Sequence, residues 1–471
     1  MYFGDLDVSR NRAAEIVRRL REAGHEAFWV GGCVRDLVRG VKPADYDIVT
    51  SARPDEVRGL FARTIPVGER FGICLVVEGG APFEVATFRT EADYDDGRRP
   101  SRIAYATAEE DVRRRDFTIN GLLMDPETGR IVDHAGGLHD IEQRMIRTIG
   151  DPEERFSEDH LRMLRAVRFA ATLDFEIEQK TFAAIQRRAP MITRISAERI
   201  REELSRLLTG GAARRGLELL SASGLLVEIL PEIHALRGVE QPPAFHPEGD
   251  VWEHTLQMFS LLPSLSSLEA PSLSSPKAFI GDIKPDGETN LRLAWAVLLH
   301  DVGKAVTRSE DAAGTHFYGH VQRGEEIAAV ILRRLRFSRE ETETILALVS
   351  GHMLFMNVRE MRPNRLKRLL RTPDFALHLE LHRLDCLGSH GLLDHYEFCK
   401  QKLEEYPEEE LRPPRLLTGQ DLIEMGFAPG PLFKEILRAV EDAQLGGEIA
   451  DDAGARNLVR TGWGDPKSGI D

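Results

Sequence analysis

The hydrophobic pattern of this 471-residue chain changes period once, near Gly150, and that change limits what it can fold into. Before it, short β-branched and aromatic runs alternate with helical stretches. Residues 8–24 read as an amphipathic helix, with Ala14, Ile16, Val17 and Leu20 on one side and Gly24 as its stop. The run AFWV leads as a strand into Gly31 and Gly32, VRDLVRG reads as a helix, and DYDIVT resumes a strand after the Lys42-Pro43 turn. CLVVE and FEVATF supply two further strands of the same sheet. From Ser157 to Leu208 the segments EDHLRMLRAVRFAATL, QKTFAAIQRRA and AERIREELSRLL are consecutive helical patterns, and 216–233 continues in that style.

An α+β chain is therefore expected, with a mixed sheet and helices over 1–150 and helices beyond. Its length implies two or three cooperating units. Helical patterns at 291–300, 321–336, 340–350 and 375–400 extend the all-helical part. The Ser-, Pro- and Gly-rich stretch 263–290 reads as a disordered insertion. These features divide the chain at 1–150, 151–235, 236–400 and 401–471.

With 42% hydrophobic and 30% charged residues, and no run of about 18–20 apolar residues, the sequence excludes a membrane-spanning helix. The first twenty residues interleave acids and arginines, unlike a secretory signal, so a cytoplasmic location is expected. Cys33, Cys74, Cys386 and Cys399 show no paired spacing, which fits reduced thiols. A net charge of -15 argues against indiscriminate coating of nucleic acid, which rests on counterion release by clustered cations. Arginine is nevertheless locally dense at Arg98, Arg99 and Arg102, at Arg113 to Arg115, at Arg162, Arg165 and Arg168, and at Arg187, Arg188, Arg214 and Arg215. Any contact with nucleic acid should therefore be local.

Asp45 and Asp47 lie two apart in DYDIVT, and strand alternation would put both carboxylates on one face. Two hard oxygen ligands suit Mg²⁺, which bridges protein carboxylates to substrate phosphates. Glu84, in FEVATF, is a candidate third carboxylate. Just upstream, Gly31 and Gly32 allow close approach of backbone N–H groups to a triphosphate, and Arg35 follows on the next turn.

In GGCVRD followed by DYD the chain resembles the tRNA nucleotidyltransferase and bacterial poly(A) polymerase family, a branch of the polymerase-β-like nucleotidyltransferases. The resemblance continues through RRRDFTINGLLMD, where Arg114, Arg115, Asp116, Phe117, Thr118 and Asn120 match the family motif and Gly121 replaces an alanine. It implies that Arg115 contacts phosphate or ribose, with Asp116 and Asn120 reading the sugar. EDHLRMLRAVRF matches a further motif at Asp159, Arg162, Arg165 and Arg168. Asp159 and Arg162, one turn apart, could face one ligand. A carboxylate accepts from the amino group that C and A share, and a guanidinium donates to the ring nitrogen beside it. RTEADYDDGRRP resembles the flexible loop of family members that add the terminal A.

In the second half, LLHDVGKA sets His300 and Asp301 side by side on a helix, with His254 upstream and His320, His352 and Asp385 downstream. Imidazoles with a carboxylate suit a divalent transition metal or Mg²⁺. The order H…HD…H…H…D resembles the HD phosphohydrolase superfamily. That resemblance implies His254, His300, Asp301 and Asp385 as primary ligands, with His320 and His352 serving a second metal or a phosphate.

Together these resemblances imply a polymerase-β-like head, an all-α neck and body, and an all-α HD domain. The activity expected is Mg²⁺-dependent addition of CTP- and ATP-derived nucleotides to the 3′ end of tRNA. A poly(A) polymerase shares these motifs but commonly ends in a basic tail, whereas this chain ends in DAQLGGEIADDAGARNLVRTGWGDPKSGID. The alternative from another class is a metal-dependent phosphohydrolase or 2′,3′-cyclic phosphodiesterase with an RNA-binding head.

Overall fold

The computed structural model describes residues 5–65, 72–92, 102–262, 287–312 and 314–464. It divides into one unit of residues 1–234 with 334–336, and a second of 235–333 with 337–471.

The first unit begins with α1 (Asp5–Glu22), β1 (Ala27–Val30), α2 (Gly32–Val38), β2 (Ile48–Thr50), α3 (Pro54–Leu60), β3 (Thr64–Ile65), β4 (Ile73–Glu78) and β5 (Ala81–Thr87). There follow β6 (Arg89–Ala92), β7 (Arg102–Tyr105), α4 (Ala108–Arg113), β8 (Leu122–Met124), β9 (Ile131–Asp133) and α5 (Gly137–Glu142). Helix α1 buries Ala13, Ile16, Val17 and Leu20, so Ala13 rather than Ala14 completes the i, i+3, i+4, i+7 stripe. The sheet runs β3-β4-β5-β2-β1-β8-β9. It is mixed because β2 and β5 pair in parallel while the other neighbours are antiparallel. Val30, Val49, Ala86, Phe88, Val112, Leu123 and Ile149 form a core on it.

Asp45 and Asp47 stand before β2 rather than within it, since regular pairing starts at Ile48. Tyr46 between them is buried with its ring 4.7 Å from that of Trp29. The Asp47 carbonyl still accepts the Val30 N–H at 3.0 Å, so both carboxylates leave an anchored entry to the strand. β6 and β7 form a two-stranded ribbon pairing Arg89 with Tyr105 and Ala92 with Arg102. The loop expected to bear on terminal-A addition lies largely outside the described residues, at 93–101.

From β10 (Met145–Ile146) on, the described regular structure of this unit is helical apart from the short parallel pair that β10 makes with β11 (Glu176–Ile177): α6 (Pro152–Glu158), α7 (Leu161–Leu173), α8 (Gln179–Arg188), α9 (Ala197–Thr209), α10 (Ala213–Ala222), α11 (Leu225–Ile229) and α12 (Pro231–His234). The helix expected across EDHLRMLRAVRF is interrupted. Asp159 adopts an extended conformation (φ -144°, ψ 105°) that ends α6, and α7 restarts at Leu161. The break lets Phe156 and Leu161, on successive helices, both be buried.

The second unit contains α13 (Val251–Leu261), α14 (Gly287–Leu299), α15 (Lys304–Thr307), the hairpin β12 (Ser309–Asp311) and β13 (Gly314–His316), α16 (His320–Arg334), α17 (Arg339–Gly351), α18 (Pro363–Leu370) and α19 (Phe375–Gly388). The stretch read as an insertion lies outside the described residues over 263–286. Its last four residues instead open α14, where Thr289 and Asn290 are buried. Residues 293–299 of α14 are all buried, so this stretch is apolar and packed on every side. Leu366, Leu370, Phe375, Cys399 and Leu403 form a second core, and Leu417, Leu422, Ile436, Val440 and Val459 a third. The helix expected over 375–400 stops after Gly388, where the N–H groups of Ser389 and Gly391 close onto the Cys386 carbonyl. A new helix, α20 (Asp394–Glu405), follows.

Candidate functional sites

Gly31 leaves β1 with φ +74°, a backbone that only glycine adopts without strain, and turns the chain into α2. Gly32 is the first residue of that helix. A Cβ placed on Gly31 would lie 3.6 Å from Nη1 of Arg115, so the turn and the RRRDFTIN segment share one surface. Parallel pairing sets Ile48 opposite Val85, and carrying that register back one residue brings Glu84 beside Asp47. Burial and then the neighbouring carboxylates of Asp45 and Glu84 push the Asp47 carboxyl up to about 6, with Arg115 opposing. Asp45 and Glu84 thus lie near enough to Asp47 to disfavour its charge, and hard oxygen donors of this kind fit Mg²⁺ chemistry.

Beside it lies a continuous polar network. Arg35 is buried and directed inward, with Nη1 donating to Oδ1 of Asn120 at 2.9 Å. Nδ2 of Asn120 donates to Oδ1 of Asp116 at 3.0 Å, which also accepts the Phe117 N–H at 2.8 Å. Oδ2 of Asp116 accepts Nε–H and Nη2–H of Arg165 at 2.9 and 2.7 Å. Burial alone would raise the Asp116 carboxyl, but Arg165, the Asn120 amide and Arg162 hold it down at about 2. Arg168 in turn donates to Glu203 at 2.6 Å. The guanidinium groups of Arg35, Arg165 and Arg168 all lie over the ring of Phe169, at 5.3, 5.3 and 4.2 Å from its centroid. Arg115 is held through Nε and Nη2 by Asp111, at 3.2 and 3.0 Å.

Asp159 and Arg162 do not share a helix. Arg162 is buried near the start of α7, where Nη1 donates to Glu158 at 2.7 Å and Nη2 to the Arg114 carbonyl at 3.0 Å. Asp159, in the break, accepts from Arg199 through both oxygens, at 3.2 and 2.7 Å.

The second unit gathers its histidines more tightly. His300 and Asp301 lie in the turn after α14 rather than on a helix. Two groups have ligand atoms all within 4.8 Å of one another: His254, His300 and Asp385, and Asp301, His320 and His352. Backbone carbonyls face Nδ1 of three of these histidines: Val297 at 2.9 Å from His300, Phe317 at 2.9 Å from His320 and Val349 at 2.6 Å from His352. A carbonyl only accepts, so each Nδ1 carries a hydrogen and each ring turns its Nε2 toward the cluster. His254 directs Nδ1 to Glu248 at 2.7 Å, and its Nε2 sits 3.1 Å from Oδ1 of Asp385, near enough for an ion pair but off the line of a hydrogen bond.

Burial opposes a charge on His254, yet Asp385 and Glu248 raise its pKa to about 9. Burial lowers His352 to about 4 and lowers His320 as well, despite Asp301. Asp301, although buried, is held well below the usual carboxylate range by Lys304, His300 and His352. Buried Nε2 atoms of His254 and His300 without hydrogen-bond partners, convergent on carboxylates, fit a divalent metal.

Sequence reasoning missed several members of these sites. Lys304, whose Nζ lies 2.7 Å from Asp301 and 2.7 Å from Oε1 of Gln241, was within reach because it stands three residues after Asp301 in HDVGK. Asp111 and Phe169 likewise stand four residues from Arg115 and Arg165, whereas His246 and Glu248 lie in a loop and the partners of Arg199 and Glu203 are 40 and 35 residues away.

Three families match along the chain: the poly A polymerase head domain over 27–147, the probable RNA- and SrmB-binding site of polymerase A over 174–237, and the HD domain over 251–375. The CCA-adding enzyme of Bacillus cereus (strain B4264) is 32% identical over 443 residues, covering 94% of this chain and 95% of that protein. The CCA-adding enzyme of Geobacillus thermodenitrificans is 48% identical over 215 residues, covering 45% of this chain and 53% of that protein. Among solved structures, the Bacillus stearothermophilus CCA-adding enzyme in complex with CTP superposes with a TM-score of 0.69 at 28% identity, covering 96% of this chain and 98% of that one.

Proposed function

The chain belongs to the CCA-adding enzyme family, and from that premise we propose that it adds C and A, taken from CTP and ATP, to the 3′ end of tRNA without a nucleic-acid template. The observation that carries this reading is the carboxyl of Asp47, pushed up by burial and by the neighbouring Asp45 and Glu84, beside the Arg115 and Gly31 surface. In the reaction the 3′-oxygen of the RNA bonds to the α-phosphorus of the nucleotide as the bond to the bridging oxygen breaks and pyrophosphate leaves. Asp45, Asp47 and Glu84 would hold Mg²⁺, which supplies acidification of the 3′-hydroxyl and neutralisation of the departing pyrophosphate.

The chain's own residues bind and orient. The glycine turn at Gly31 and Gly32 admits phosphate oxygens close to the backbone, and Arg115, fixed by Asp111, offers a cation to phosphate or ribose. Asp116 and Asn120 position the sugar, with Arg35 holding Asn120 from beneath and Arg165 and Arg168 bracing the strip. Asp159 accepts from the exocyclic amine that C and A share, and Arg162 donates to the adjacent ring nitrogen. U and G place a carbonyl where that amine stands and leave Asp159 unpaired. In this reading residues 1–150 are the catalytic head, 151–235 the selecting neck, 236–400 the HD unit and 401–471 a C-terminal segment. Among the described residues no helix is long and apolar enough to cross a membrane, which supports work on tRNA in the cytoplasm.

Three tRNAs lacking CCA, CA or A, each offered with single nucleotides, test this directly. Replacing Asp45 and Asp47 by alanine should abolish incorporation on all three. Long homopolymer tails on a gel would point to a poly(A) polymerase instead.

The two ligand groups around His300 and Asp301 favour a second activity, a metal-dependent phosphohydrolase or 2′,3′-cyclic phosphodiesterase in the second unit. Phosphate release that survives the Asp45 and Asp47 substitutions and is lost on His300→Ala is the expected signature.

A further inference from the structure

We propose that Arg199 is a positioning residue for base selection, holding the carboxylate of Asp159 in the orientation that accepts the amine of C or A. This rests on Asp159 being the base reader. The need for such a clamp comes from the break between α6 and α7, which leaves Asp159 in extended backbone without helical support. Both of its oxygens are engaged by one guanidinium, Oδ1 from Nη1 at 3.2 Å and Oδ2 from Nη2 at 2.7 Å, and the Leu161 N–H donates to Oδ1 at 3.0 Å. A two-point contact of this kind fixes the plane of a carboxylate as well as its place. Two oxygens offer about four lone-pair positions, of which three are used, so one stays available to a base amine.

The same helix braces the other half of the strip. Glu203 follows Arg199 by four residues on α9, one turn further along. Its Oε2 accepts from Arg168 at 2.6 Å and its Oε1 lies 3.5 Å from Arg165, the partner of Asp116. One helix of thirteen residues thus sets, through two residues of opposite charge, the orientation of Asp159 and of the Asp116–Asn120 pair. Arg162 needs no such help, since Glu158 and the carbonyls of Arg155 and Arg114 already hold it.

The test is a double-mutant cycle read as discrimination: kcat/KM for CTP and ATP over that for UTP and GTP, on tRNAs lacking CCA or A. Arg199→Ala should lower discrimination by about 10- to 100-fold, the scale on which a misplaced catalytic-site group acts. Arg199→Lys, with one point of contact in place of two, should fall between. Adding Arg199→Ala to Asp159→Ala should cost no further discrimination, because Arg199 acts through Asp159. A merely structural arginine would slow all four nucleotides in proportion and leave the ratio intact, and that result would overturn the proposal. Should Arg199→Ala not fold, Arg199→Lys with unchanged discrimination overturns it equally. Unchanged discrimination in Asp159→Ala alone would instead remove the reading of Asp159 as base selector.

Discussion

Nε2 of His300 lies 3.2 Å from Oδ2 of Asp301, its neighbour in sequence, yet the two side chains fall in different ligand groups. His300 joins His254 and Asp385, whereas Asp301 joins His320 and His352. The first group holds a proton that a metal must displace. His254, raised to about 9, is protonated at neutral pH between Glu248 and Asp385, so a metal ion taking its Nε2 expels that proton. Calorimetric titration of metal in buffers of different ionisation enthalpy should show release of about one proton per ion, with affinity falling about tenfold per pH unit between 9 and 7. At a free metal concentration about 100 times Kd the unit should gain about 2.7 kcal/mol, read as a higher melting temperature that a chelator reverses. Binding without proton release would contradict the assigned state of His254.

A second expectation concerns the glycine of HDVGK. A Cβ on Gly303 would stand 2.1 Å from the His320 carbonyl oxygen and 2.6 Å from the Gly324 nitrogen, both backbone atoms of α16 or its first turn. Gly303→Ala must therefore push the start of α16 away and carry His320 from Asp301. We expect a loss of about 1–3 kcal/mol of stability, the usual cost of overpacking. Metal bound per chain, measured by emission spectroscopy, should drop while His254, His300 and Asp385 keep their geometry. Full metal content in a folded Gly303→Ala variant would show that the close approach does not position His320.

Much of this was legible in the sequence, and the failures share one cause. The strands AFWV and FEVATF and the helices from α7 to α10 announce themselves because their periodicity is local. The break at Asp159 is invisible because EDHLRMLRAVRF keeps a helical period straight through it, and only packing of Phe156 and Leu161 on separate helices reveals it. Arg35 reads as a phosphate ligand by its place after Gly31 and Gly32, but it meets Asn120 85 residues away and turns inward. Arg199 and Glu203 look like one more charged helix face until Asp159 and Arg168, 40 and 35 residues earlier, are found against them. Spacing can reveal which chemistry is present, whereas tertiary pairing decides which member of a charged set faces a ligand.

The Asp116–Arg165 pair makes a pH-dependent prediction. The folded carboxyl, at about 2, lies below its ordinary 3.8, so the unfolded chain binds more protons between those values. The stabilisation is therefore present above about pH 4 and lost as pH falls through about 2, and it amounts to about 2 kcal/mol. Asp116→Asn removes it at every pH and leaves the Arg165 guanidinium short of its main partner, with Glu203 as the remaining one. At pH 7 the variant should be less stable by about 2–3 kcal/mol in urea. The gap from the native protein should narrow as the pH drops toward 2, and a gap independent of pH would mean that the charge of Asp116 is not what stabilises.

Gly31 and Gly32 make the sharpest comparison, since adjacent glycines differ in what they require. Gly31 has φ +74° and ψ -125°, outside the region open to other residues, while its added Cβ would meet nothing closer than 3.6 Å. The cost of Gly31→Ala is thus backbone strain rather than crowding, about 1–3 kcal/mol. Gly32 begins α2 with no positive φ, and its Cβ would lie 3.7 Å from Nη2 of Arg35, an ordinary contact. Gly32→Ala should leave the melting temperature unchanged or slightly raised, because alanine is the better helix former. Relief of strain at position 31 would rotate the turn against Arg115, so Gly31→Ala should also raise KM for both nucleotides. Equal melting temperatures for the two alanine variants would refute the strain account, since only one of the two backbones excludes a side chain.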